Sequence, residues 1–274
     1  MSELIKAIVL GIVQGATEFI PVSSSGHLVI VPWFLGWEPS SLFFDTVLHW
    51  GTLVSIAVIF WRDFWQMIVA TLQSLVSRSL ANMHARLGWF IIVGSIPAAV
   101  MGLLFEEFFE ELFSSPTAAA FFLLITAALL ISSELLMRYA EKIRALEDMG
   151  WIDAILIGLF QALALAPGIS RSGSTMAAGL ARGIRREDAA RFSFLLGTPA
   201  FLGAGLLQLL KAMEESQALV VAQAPLLLVG FTASAISGFI AIRFLLAYLR
   251  KRPLYPFAVY CICVSLLVFW LSMG

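Results

Sequence analysis

Six apolar stretches recur along the chain, at roughly Phe43 to Trp61, Gly88 to Phe105, Thr117 to Met137, Phe192 to Leu210, Pro225 to Ala247 and Pro256 to Leu271, with short charged segments between them. Each has about the 20 residues that an α-helix needs to cross ~30 Å of hydrocarbon. In that solvent the backbone must satisfy its own hydrogen bonds, and runs of this length do so as helices rather than as barrel strands. Composition agrees: 60% of the 274 residues are hydrophobic and 13% are charged, and the mean hydropathy is +0.94, outside the range of ordinary soluble domains. The chain is therefore expected to be an all-α polytopic membrane protein forming a single membrane domain over 1–274. A net charge of −1 gives no sign of a nucleic-acid partner. Cys261 and Cys263 lie on different sides of one expected helix, lack further metal ligands nearby and read as packing residues. The first apolar stretch, Leu4 to Ile20, holds Gln14 and Glu18 and lacks a basic start and a small-residue cleavage site, so it is expected to stay in the mature protein.

Two further stretches, 4–35 and 152–181, are apolar for about half a crossing, break at a Pro, Ser and Gly cluster and then resume. Interrupted pairs of this kind predict re-entrant helical hairpins, whose irregular backbone is tolerated only inside protein or facing water. The two stretches match each other at a constant offset of 147: Gly11 with Gly158, Gln14 with Gln161, Ser23 with Ser170, Ser25 with Ser172 and Gly26 with Gly173. A hairpin that re-enters adds no crossing, so a hairpin plus three spans makes an odd number of crossings and the second copy inserts upside down. The expected arrangement is an inverted-topology repeat, with one copy over approximately 1–138 and the other over approximately 150–274.

The charges fit that topology with both termini outside. Inner loops then hold Arg62, Arg78 and Arg86, Arg138, Lys142 and Arg144, Arg182, Arg185, Arg186 and Arg191, and Arg243, Arg250, Lys251 and Arg252, fourteen of the 17 basic residues. Outer segments keep Lys6 and Lys211 and the acidic run Glu106, Glu107, Glu110 and Glu111, as the positive-inside rule permits. Arg171 is left over, at the break of the second hairpin and at membrane depth.

The two broken tips can meet near the bilayer middle, and each opens a half-helix. Ser23, Ser24 and Ser25 follow Pro21; Ser170, Arg171 and Ser172 follow Pro167. Free N–H groups at two helix starts, together with a guanidinium that grips oxyanions with two parallel bonds, suit a phosphate or pyrophosphate. Ser24 and His27 are three apart on the expected helix, so the imidazole could activate the hydroxyl. Glu18 could orient His27 or, with Gln14, hold a divalent cation such as Mg2+ or Ca2+ that bridges two phosphates. Three mechanisms use these residues: attack by Ser24, attack by His27, or attack by a water activated at Glu18. Plainer readings stand beside them, a structural Arg171 to Glu18 ion pair and an interhelical hydrogen bond from His27. His49 and His84 lack such company and read as a helix-end packing residue and a solvated loop residue.

"QGATE", Gln14 to Glu18, runs directly into "PVSSSGH", Pro21 to His27, and "PGISRSGST" covers Pro167 to Thr175. With these motifs the chain resembles, over essentially its whole length, the undecaprenyl pyrophosphate phosphatase family of bacitracin-resistance membrane enzymes. Many members carry Glu where this chain has Gln14, which leaves a two-carboxylate metal site incomplete here. The resemblance implies hydrolysis of undecaprenyl pyrophosphate to the monophosphate, recycling the lipid carrier for peptidoglycan synthesis, in a bacterial plasma membrane with the active site facing the outer side. The residues at the two tips are then expected to act with Glu18, Ser24, His27 and Arg171 as catalytic residues, and Gln14, Ser23, Ser25, Gly26, Gly168, Ser170, Ser172, Gly173 and Thr175 as substrate contacts. Expected partners are the polyprenyl pyrophosphate and the bilayer, with a homodimer left open. The rival function is a polyprenyl-phosphate transporter or flippase, since inverted repeats with broken helices also build carriers.

Overall fold

The computed structural model describes residues 3–105 and 115–273, backbone only at 212 and 215–222; the acidic run Glu106, Glu107, Glu110 and Glu111 lies outside the described residues. The elements are α1 (Glu3–Phe19), α2 (Ser24–Leu35), α3 (Leu42–Ser77), α4 (Met83–Leu104), α5 (Pro116–Arg138), a short 3-10 turn (Leu146–Asp148), α6 (Trp151–Leu163), α7 (Arg171–Ala181), α8 (Arg186–Leu249) and α9 (Tyr255–Ser272). Among the described residues, six segments are long and apolar enough to cross a membrane: α3, α4, α5, the α8 arms Arg186–Lys211 and Gln223–Leu249, and α9. The two arms fold back on each other, because Arg250 just past α8 donates to Glu187 in its first turn at 3.0 and 2.9 Å. The chain is thus a multi-pass, all-α membrane protein.

The expected spans fall on these helices, with one difference. α3 does not stop near Trp61 but bends at Phe60 (φ −107°, ψ 19°) and continues to Ser77. The charges that mimic a loop there are paired or on the surface, with Asp63 bound to Arg191 at 3.0 Å. Beyond them Met67, Ala70 and Ser74 are buried, and the Trp89 indole of α4 donates to Ser74 at 3.0 Å. Packing against α4 sustains a helix that hydropathy alone would end.

α1 with α2, and α6 with α7, are the two broken pairs. Lys6 in α1 donates to the carbonyl of Glu38, after α2, at 2.7 Å, and Arg182, directly after α7, donates to Asp153 in α6 at 2.8 Å. Each pair therefore goes out and comes back. The reversals are local in origin: Ser23 has φ +69° and Gly168 φ +98°, beside Pro21 and Pro167. Ser23 Oγ then accepts from the Gly26 amide at 3.3 Å and Ser170 Oγ from the Gly173 amide at 3.0 Å, so each serine caps the returning helix. The Ser23 and Ser25 hydroxyls lie 3.3 Å apart and those of Ser170 and Ser172 3.2 Å apart, the same bonds at the same sequence offset. The tips touch: a Cβ on Gly26 would come within 3.1 Å of the Gly168 Cα.

Small residues let the outgoing helices lie close to their neighbours. α1 crosses the second arm of α8 with Gly11 against the Gly230 carbonyl and Gly15 against Ser234 and Ser237, while α6 crosses α4 with Gly158 against Gly94. At one end of the bundle the loops gather into an ion-pair cluster. Arg144 clasps Asp153 with two bonds of 2.9 Å, and these bonds hold its guanidinium above its ordinary pKa. Glu134 accepts from Arg186 and from the Leu254 amide, both at 2.8 Å. Arg86 reaches the Glu147 carbonyl at 3.0 Å.

Candidate active site

Glu18, in the last turn of α1, is 4% exposed. Because the chain breaks at Pro21 and reverses through Ser23, the first residue of α2 returns over that turn. Ser24 Oγ consequently sits 2.6 Å from Glu18 Oε2, and since an ionised carboxylate can only accept, the hydroxyl is the donor. Gln14 Nε2 donates to the same oxygen at 2.9 Å, and His49 Nε2 of α3 lies 3.5 Å from it. The other oxygen, Oε1, accepts from Arg171 Nη2 at 2.8 Å.

Arg171 opens α7, so the second tip delivers its guanidinium to the first. Its Nη1 donates to the Ser193 carbonyl at 2.7 Å, its Cζ lies 4.6 Å from the centroid of the Phe201 ring, and it fills the space where a side chain at Gly197 would stand. Its Nε is buried with no partner, which leaves an unused donor at the site. Thr175 Oγ1 donates to the Arg171 carbonyl at 2.7 Å and lies 2.6 Å from Ser193 Oγ, tying the first turn of α7 to α8. Thr126 of α5 secures the loop before it, donating to the Gly168 carbonyl and accepting from the Ser170 amide, both at 2.9 Å.

The structure thus gathers Gln14, Glu18, Ser24 and Arg171, and forms the Arg171 to Glu18 ion pair that a plainer reading of the sequence allows. The expected contact between Ser24 and His27 is not made. His27 Nδ1 is 2.7 Å from the Ser23 carbonyl and Nε2 is 2.8 Å from the Tyr260 hydroxyl of α9, with the two rings stacked at 5.6 Å. Residues three apart share a helix face, but the Ser24 hydroxyl turns toward α1 while the imidazole turns toward α9. Of the other expected contacts, Ser23 and Ser170 serve as caps, Ser25 and Ser172 sit beside them, Gly26 and Gly168 form the contact between tips, Gly173 supplies the capped amide, and Thr175 braces Arg171. Thr126, Ser193 and Tyr260 go unnoticed in the sequence, and His49, read there as a helix-end packing residue, stands instead beside the Glu18 carboxylate. For His49 a signal exists, an ionisable side chain within an apolar span; for Thr126, Ser193 and Tyr260 nothing distinguishes them from ordinary packing residues.

A resident divalent cation does not fit the residues as they stand. Both Glu18 oxygens already accept from N–H and O–H donors, one of them a guanidinium, and Gln14 turns its NH2 toward the carboxylate. The buried Gln14 Oε1 is a lone unpaired acceptor. Among the described residues no three His, Cys, Asp or Glu side chains converge, whereas Ca2+ and Mg2+ are held by several oxygens with carboxylate charge.

Fold and site together define a polytopic membrane protein in which a serine, a carboxylate and an arginine meet at two helix starts, a make-up suited to an anionic, phosphate-bearing substrate. The chain belongs to the family described as bacitracin resistance protein BacA, whose model matches residues 7–267. It is 44% identical over 271 residues to an undecaprenyl-diphosphatase of Rubrobacter xylanophilus, covering 98% of both chains. A protein of the same name from Moorella thermoacetica is 42% identical over 98% of both chains, and one from Methanosphaera stadtmanae is 42% identical over 100% of this chain and 99% of its own.

Proposed function

We propose that the chain is an integral membrane undecaprenyl-diphosphatase, hydrolysing undecaprenyl pyrophosphate to undecaprenyl phosphate and inorganic phosphate and so recycling the lipid carrier for peptidoglycan synthesis. The observation that carries the reading is the 2.6 Å bond from Ser24 Oγ to a buried carboxylate, with Arg171 on the opposite oxygen. Ser24 attacks the terminal phosphorus while Glu18 takes its proton. The P–O bond to undecaprenyl phosphate breaks, and the proton on Glu18 passes to that leaving group. A water, deprotonated by Glu18, then attacks the phosphoserine, inorganic phosphate departs and Ser24 regains its proton. Arg171 holds the phosphoryl oxygens through the planar fork and the spare Nε, where charge develops in the transition state. The divalent cation belongs in this scheme to the substrate, as the salt of the diphosphate.

The two broken pairs re-enter the membrane from opposite sides as an inverted repeat. The arginine-rich end faces the cytoplasm by the positive-inside rule; the site opens to the outer side of a bacterial plasma membrane, as the resemblance implies, and the isoprenoid tail stays in lipid. The test is release of inorganic phosphate from undecaprenyl pyrophosphate by the purified protein in detergent, with rapid acid quench to trap a phosphoserine on Ser24. Lipid translocation in proteoliposomes without phosphate release would replace this reading by the transporter.

A further inference from the structure

Ser23 stands at φ +69°, ψ +98°, a backbone conformation that L side chains rarely adopt and that persists only where the surroundings enforce it. It is the hinge that returns Ser24 over Glu18. Its carbonyl accepts the His27 amide at 3.2 Å and also His27 Nδ1 at 2.7 Å. A carbonyl can only accept, so Nδ1 carries the hydrogen, and in a neutral ring Nε2 is then the acceptor for the Tyr260 hydroxyl at 2.8 Å. The rings stack at an interplanar angle of 12°. Tyr260 stands on α9, which is anchored by buried Ala258, Cys261 and Ser265. Neither imidazole nitrogen is left to attack phosphorus or to take a proton from Ser24.

We infer that Tyr260 is a positioning residue that acts through His27: the pair forms a strut from α9 to the Ser23 carbonyl, holding the hinge so that the Ser24 hydroxyl stays aimed at Glu18. This rests on the phosphatase reading above. Aim matters because a small misplacement of a reacting atom costs far more rate than binding. The strut therefore acts on kcat and leaves KM alone.

Steady-state kinetics with a polyprenyl pyrophosphate, alongside thermal melting in detergent, tests this. Y260F removes only a hydroxyl from a residue that is 43% exposed, so its melting temperature should match wild type. Its kcat should fall about ten-fold with KM within about two-fold, the scale of one lost hydrogen bond. H27N keeps an N–H where Nδ1 stood, loses the reach to Tyr260, and should resemble Y260F, well above H27A. In the H27N background Y260F should have no further effect. Full activity in Y260F overturns the strut. So does H27N being as inactive as H27A, which would mean that the imidazole itself does the chemistry. Absence of phosphate release by the wild type would instead remove the phosphatase reading on which the strut depends.

Discussion

At the scale of single residues, one buried carboxylate organises the site, and its partners divide the work. Arg171 cannot be replaced by a point charge, because its guanidinium simultaneously meets Glu18, the Ser193 carbonyl and the face of Phe201. R171K should lose more than ten-fold in kcat/KM, above ~1.4 kcal/mol of transition-state stabilisation. E18Q keeps the shape but removes the base of the proposed mechanism, and should lower kcat by about 10²- to 10⁴-fold; S24A should do likewise, and the double variant should be little worse than either, since in that mechanism the two act as a unit. Initial-rate measurements of phosphate release read all of these. Glu18 and Arg171 were legible in the sequence because a charge at membrane depth is costly enough to need a reason. The pairing of Ser24 with Glu18 rather than with His27 was not. Spacing fixes which face a side chain starts from, whereas the direction of its polar atom depends on α1 and α9, which only the fold brings alongside.

Among the elements, the same division of legible and illegible recurs. Pro, Ser and Gly clusters announced the breaks in 4–35 and 152–181, since a proline and capping serines have few other uses inside an apolar run. The continuation of α3 past Phe60 could not be read, because Arg62 and Asp63 look like a loop until Arg191 arrives from α8. What the sequence did hold, at one offset, was the pair Gly11 and Gly158, and both now lie at helix crossings against backbone. In lipid no hydrophobic force drives helices together, so close backbone approach supplies the packing. G11A and G158A each push a Cβ into a carbonyl that cannot rotate away, and each should destabilise the fold by about 1–3 kcal/mol. G203A is the control: nothing stands within 4 Å of its added Cβ, so thermal melting in detergent should show no loss for it and a clear drop for the other two.

For the whole molecule, charge decides which way up the bundle sits. Arg86, Arg144, Arg182, Arg186, Arg191 and Arg250 arrive from separate loops and helices at one end, where their partners are Asp63, Glu134, Asp153, Glu187 and the Glu147 carbonyl. Such pairs trim the net charge of that end without removing its basic excess, because Lys251 and Arg252 stand there too, both exposed. Lys6, bound to the Glu38 carbonyl, stands at the return of the other pair. Orientation follows Lys and Arg in short loops rather than net charge, so pairing does not weaken the bias toward the cytoplasm. Single cysteines at two exposed positions, E38C and K251C, in a background lacking Cys261 and Cys263, separate the faces without touching an ion pair, since Glu38 engages Lys6 through its backbone. An impermeant maleimide applied to intact cells should label E38C and leave K251C unlabelled until the membrane is opened. Labelling of K251C in intact cells would put the basic end outside and overturn both the proposed entry sides of the broken pairs and the proposed release of phosphate at the outer face.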